Sequence, residues 1–145
     1  MMSMLPRRRH QSTLRGAILA LGCSLAAVLA ATAAEQPPIG NKGLKASKTQ
    51  ALDLGSEIAG MENRQLRFRM LTIDPGGYIG VHSHKDRPAA VYFLQGEDTV
   101  TSANGEVKVF KPGDVTMEGR EATHWHRNDG KEPVIFVTVD ILHQK

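Results

Sequence analysis

The chain has 145 residues, with 18 Lys and Arg against 15 Asp and Glu, six histidines and a single cysteine. One cysteine excludes an internal disulfide, and this length is that of one domain rather than several. The basic excess does not point to nucleic acid, because Arg7, Arg8, Arg9 and Arg15 supply it ahead of the first acidic residue, Glu35.

Those arginines precede an uncharged apolar run from Gly16 to Ala34 that closes on Ala31-Thr32-Ala33-Ala34. A positive start, an apolar middle and a small-residue end describe a secretory signal peptide over residues 1–34. A run of about 19 apolar residues is also long enough to span a bilayer. Its alanine-rich composition and small-residue end favour cleavage, and the expected location is periplasmic or secreted. The Arg-Arg-Arg tract leaves the export route open. Removal of residues 1–34 leaves 111 residues with 14 basic and 15 acidic side chains. No cationic surface then argues for nucleic acid, and no stable membrane insertion is expected after cleavage. Cys23 departs with the leader, so a metal site in the mature chain must use nitrogen and oxygen ligands.

Residues 35–47, with Gln36-Pro37-Pro38 and Gly40-Asn41, read as a flexible lead-in, and residues 48–145 as the folded domain. Short strands follow at close spacing. Gln50–Leu54 is one; Gln65–Ile73 is longer and alternates Leu66, Phe68 and Met70 against Arg67 and Arg69. The Pro75-Gly76-Gly77 turn leads to His82-Ser83-His84, and Ala90–Leu94 follows. Asp98–Ser102 and Glu106–Phe110 flank Ala103-Asn104-Gly105, a hairpin signal. Val115–Met117, Thr123–Arg127 and Val134–Leu142 complete the series, the last with Ile135, Val137, Val139 and Ile141 on one face. No segment after the leader holds a helical period. The pattern predicts an all-β fold, a sandwich or closed barrel.

His82 and His84 carry the chemical signal. Residues i and i+2 diverge on a helix but share one face of a strand, so the two can hold one object only from a strand. His124 and His126 share a face in the same way. His10 and His143 read as isolated polar residues. Arg67 and Arg69 read as a solvated face, Glu118 and Glu121 as surface turn carboxylates, and Tyr92, Phe93 and Trp125 as core.

Gly76, five residues, His82-Ser83-His84 and then Gly96 resemble the first motif of the cupin superfamily, the small jelly-roll β-barrels. The second motif is matched loosely, by Pro112-Gly113-Asp114 and by His124-x3-Asn128, with Asp129-Gly130-Lys131-Glu132-Pro133 resembling the turn into the last strand. The resemblance spans roughly residues 48–142 and departs at Ala89, where the first motif carries a glutamate. It implies a jelly-roll β-barrel in which His82, His84 and His124 bind one divalent transition metal (Fe, Mn, Zn, Ni or Cu). His124 is expected to come from the opposing sheet. His126 and Asp86 are candidates to stand behind these ligands. The resemblance also implies a homodimer and a small-molecule ligand or substrate. Two functions follow: a metal-dependent oxygenase or isomerase-like enzyme, or a non-catalytic module that binds a small ligand or metal. No catalytic side chain beyond the metal set is assigned.

Overall fold

The computed structural model describes residues 36–144. The expected signal peptide, 1–34, lies outside the described residues. Eight strands are present among the latter and no helix: β1 Asn41–Asp53, β2 Arg64–Ser83, β3 Ala89–Gln95, β4 Asp98–Ser102, β5 Val107–Phe110, β6 Val115–Glu118, β7 Thr123–Arg127 and β8 Val134–His143. All pairings are antiparallel, in the order β5-β4-β7-β2-β8-β3-β6, with β1 also on β2. The sheet curls into a half-barrel of the jelly-roll type, so the expected all-β class holds.

Two boundaries differ from the sequence reading. Residues 41–47 are not a flexible lead-in: they form the first half of β1, paired with β2 from Asn41↔Ile79 to Ser47↔Met70 across one register shift between Lys42 and Leu44. This edge strand is exposed along most of its length, so it is held by its backbone ladder and carries little apolar alternation to announce it. Lys42, Lys45 and Lys48 charge it, a common protection for an edge. The Pro75-Gly76-Gly77 turn is likewise not a break between strands. β2 runs through it and changes partner there, from β8 over Arg64–Ile73 to β7 over Tyr78–Ser83. Gly76 takes φ +69°, and a Cβ on Gly77 would meet the Lys42 carbonyl oxygen at 2.7 Å. The glycine pair allows the bend and the close approach of β1 together.

The core is built from Leu71, Ile73, Val91, Phe93, Val100, Phe110, Val134 and Phe136. Phe93 stacks on Phe110 with ring centroids 4.7 Å apart and tilts against Phe136 at 5.5 Å. Asn128 is fully buried and closes the β7–β8 turn: its side-chain NH2 donates to the Ile73 and Glu132 carbonyls at 2.8 and 2.9 Å, and its Oδ1 accepts from Gly130 N–H at 3.0 Å. Pairing three strands on one turn fixes where β7, with its histidines, enters the sheet.

Candidate metal centre

β2 and β7 lie side by side with His82 directly opposite His124. His124 therefore comes from the neighbouring strand of the same sheet, which corrects the expectation of an opposing one. His84 continues the β2 face just past the strand end, and His126 continues the β7 face. Four imidazoles converge: ring centroids are 4.7 Å apart for His82–His124, 5.0 Å for His84–His124, 5.1 Å for His82–His84 and 4.9 Å for His124–His126. His84, His124 and His126 are buried and His82 is half-buried.

The rings are oriented from behind. His82 Nδ1–H donates to the Gly80 carbonyl at 2.9 Å and His84 Nδ1–H to the Arg87 carbonyl at 3.1 Å. A carbonyl only accepts, so each ring presents an unprotonated Nε2, the tautomer a metal requires. Burial pushes His82 and His84 down to about 4 and His124 down to about 3, the last aided by the neighbouring histidines. These rings are therefore neutral at ordinary pH. His126 differs. Its Nδ1 lies 2.6 Å from Asp98 Oδ2 in a fully buried pair. Burial opposes charge on this imidazole, but the Asp98 carboxylate raises its pKa above the ordinary value.

Glu118, read from sequence as a surface carboxylate, is buried at the end of β6 and faces the cluster. Its Oε2 is 3.1 Å from His84 Nε2 and its Oε1 is 3.5 Å from His124 Nε2. Neither Nε2 makes an aligned hydrogen bond. Burial raises the Glu118 carboxyl above its usual range. Two ligand sets result, His82/His124/His126 and His84/Glu118/His124, each with ligand atoms within 4.8 Å of one another. The predicted triad is divided between them, His124 belonging to both. Asp86 stands apart, in an exposed turn at φ +61° with Arg120 as its ion-pair partner at 3.9 Å. Glu121 is exposed as expected.

A cavity of about 270 Å³ opens onto this cluster, lined among others by His82, His84, His126, Glu118, Arg69 and Arg87. Arg67 and Arg69 are thus not a solvated face. With Arg87 they surround Asp140, which is 1% exposed: Arg67 is bidentate at 3.0 and 2.7 Å, Arg69 lies at 3.2 Å and Arg87 at 3.4 Å. Burial alone would raise the Asp140 carboxyl, but the Arg67 hydrogen bonds and the charges of Arg69, Arg67 and Arg87 hold it below its ordinary value. Three permanently charged guanidiniums face one carboxylate, so this cluster carries a net positive charge beside the cavity. Asp98, Asp140 and Arg87 escaped the sequence reading. The alternation Phe136-x-Thr138-x-Asp140, the face opposite Ile135 and Val137, was the available signal for Asp140.

A curled antiparallel sheet with histidines of two adjacent strands converging on its inner face defines a cupin-type site. The chain belongs to the cupin family, whose domain matches residues 69–140. It is similar to an oxalate-binding protein of Thermotoga maritima, 32% identical over 82 residues, or 57% of this chain and 67% of that one. Among solved structures, the polyketide cyclase RemF of Streptomyces resistomycificus has a TM-score of 0.54 at 17% identity, over 70% of this chain and 67% of that one. A predicted oxalate decarboxylase of Thermotoga maritima gives a TM-score of 0.48 at 21% identity, over 65% and 91% of the two chains. At such identities the structural likeness is one of fold alone.

Proposed function

We propose that this protein is an exported, metal-dependent cupin that holds one divalent transition metal at its histidine cluster and acts there on a small organic acid. The observation that carries the metal is the pair of buried Nε2 atoms on His84 and His124, close to each other's ring and to Glu118 yet without a hydrogen-bond partner. Each such atom costs about 1–3 kcal/mol when left unsatisfied. Ligands aimed at a common centre, rather than at one another, account for it. Imidazole and carboxylate donors suit Fe, Mn, Zn, Ni or Cu. A metal held here supplies Lewis-acid polarisation of a bound oxygen.

The ligand class follows from the guanidiniums. Arg69 and Arg87 line the cavity beside the histidines while sharing Asp140 with Arg67. A planar guanidinium suits a carboxylate better than a neutral group. The cavity, about 270 Å³, has room for a small molecule. The name of the oxalate-binding relative agrees with this class. Oxygenase or isomerase-like turnover is the enzymatic form of the proposal. That relative's description as a binding protein favours a second reading, a module that holds the acid without converting it.

Dimerisation is part of the proposal. Tyr92, Leu94, Val115 and Met117 are 46%, 42%, 62% and 76% exposed, on the paired strands β3 and β6. Such a contiguous apolar face, ending on an edge strand, calls for a cover. A second copy of the chain supplies one.

Elemental analysis of protein purified without chelators tests the metal, with one divalent ion per chain expected. Calorimetric titration with oxalate and other small carboxylates tests the ligand. Arg69→Gln is expected to weaken binding by about tenfold or more, the worth of a charge-assisted hydrogen bond. Carbon dioxide release or dioxygen uptake by the loaded protein separates turnover from binding. Protein that takes up no metal ends the enzyme reading and leaves the binding module.

A further inference from the structure

Ala89 begins β3 at the position where the first cupin motif carries its glutamate. In this chain Ala89 is 5% exposed and sits between two carboxylates in register: Glu118 opposite it on β6 and Asp140 opposite it on β8. Directly opposite residues of an antiparallel pair project on the same side, with Cβ atoms about 4.5–5.5 Å apart. A side chain at 118 therefore reaches the space that a side chain at 89 would occupy.

Glu118 uses that reach. It is 7% exposed, and its two oxygens approach two different imidazoles, Oε2 to His84 Nε2 at 3.1 Å and Oε1 to His124 Nε2 at 3.5 Å. We propose that Glu118 is the carboxylate ligand of the metal, delivered from β6 into the place that the family's glutamate reaches from β3. This rests on the metal reading above. The acidic ligand has moved one strand sideways within the same row.

The row also explains why position 89 is small and uncharged. A glutamate there would face carboxylates on both sides, and like charges directly opposite each other destabilise a sheet. Asp140 is already neutralised by three arginines, whereas Glu118 has histidines before it. One carboxylate per metal is kept, and alanine is the spacer between two charged neighbours.

The test is a Mn²⁺ titration of the metal-free protein, read by the electron paramagnetic resonance of the free ion. Glu118→Gln keeps shape and removes charge. It is expected to lower Mn²⁺ affinity by more than about 100-fold, beyond the loss of a group that only orients a ligand. The metal-free Glu118→Gln protein should unfold at the wild-type temperature or above, because a neutral amide is easier to bury than a carboxylate. Glu118→Ala should lose Mn²⁺ in the same way, and adding Ala89→Glu to it should restore most of the affinity. Ala89→Glu alone should give no gain, since it sets two carboxylates against each other.

A Glu118→Gln protein that binds Mn²⁺ as tightly as wild type, while His124→Ala does not, overturns this assignment and leaves the metal reading intact. A folded double variant no better than Glu118→Ala overturns the claim that positions 89 and 118 serve one ligand place. Wild-type protein that binds no divalent metal overturns both readings.

Discussion

Asp98 and His126 form a fully buried pair, Oδ2 to Nδ1 at 2.6 Å, beneath the histidine cluster. Asp98 starts β4 and His126 lies on β7, whose pairing with β4 sets Val100 against His126. The ring also stacks on Phe136 at 5.9 Å and on His82 at 5.6 Å. One imidazole thus joins the apolar core to the candidate ligands. Breaking a buried pair from one side leaves an uncompensated charge, so Asp98→Asn is expected to cost about 3–5 kcal/mol. Replacing both members, by Asp98→Leu with His126→Phe, should recover most of that loss. Urea unfolding of the metal-free proteins measures it, and strictly additive costs would argue that the two side chains do not act as a pair.

Asp140 contributes to the acid limb of stability. Its folded pKa lies below the ordinary 3.8 because the gains from Arg67, Arg69 and Arg87 outweigh burial. A depressed carboxylate contributes stability that is present above its unfolded value and is lost as pH falls through its folded one. The decline it causes therefore lies below pH 3.8. Asp140→Asn should lower stability at neutral pH, leaving three guanidiniums together without their counterion, and should flatten the curve below pH 4. Unfolding midpoints measured from pH 7 downward check both, and a variant with an unchanged acid limb would refute the assignment.

Period-2 patterning located most strands but not which face turns inward. Along β2, Leu66, Phe68 and Met70 look like a core face against Arg67 and Arg69. The structure reverses this: Arg69, Leu71 and Ile73 share the inner side and Phe68 is 37% exposed. In β8, Val134, Phe136, Thr138 and Asp140 are buried, and Ile135, Val137 and Val139 only partly so. Both strands carry apolar residues on both faces, and the decision rests on Asp140 neutralising the arginines, a contact 73 residues apart in sequence for Arg67. The histidine spacing, by contrast, was legible because i, i+2 on a strand is local geometry. Glu118 was not. It lies one residue past the expected end of its strand, and only the β3–β6 register reveals its direction.

The outward apolar face has a consequence for assembly. Tyr92 pairs with Val115 and Ala90 with Met117, so the exposed residues form one patch across β3 and β6. Light scattering at micromolar concentration is expected to give the mass of a dimer. Met117→Asp places a charge on the most exposed residue of the patch, where an unpaired buried charge is not tolerated, and should give the monomer. A wild-type monomer would rule the interface out.

His124 belongs to both ligand sets, His82/His124/His126 and His84/Glu118/His124. Substitution at a shared ligand damages every arrangement the cluster can offer, whereas His82 or His84 each belongs to one. Metal content of proteins purified in parallel should therefore fall furthest in His124→Ala, with His84→Ala and His82→Ala also losing most of their metal. His126→Ala should behave otherwise. Its Nδ1 is held by Asp98 at 2.6 Å and its ring stacks on Phe136, which places it on the core side of the cluster, away from Glu118. Its loss is expected to weaken metal affinity by about 10- to 100-fold, as for a group behind the ligands, and to leave metal bound at saturating concentrations. Competition with a chromophoric chelator gives the four affinities on one scale. If His126→Ala empties the protein while His124→Ala remains loaded, the metal sits at the His126 end of the cluster, and the ligand assignment fails.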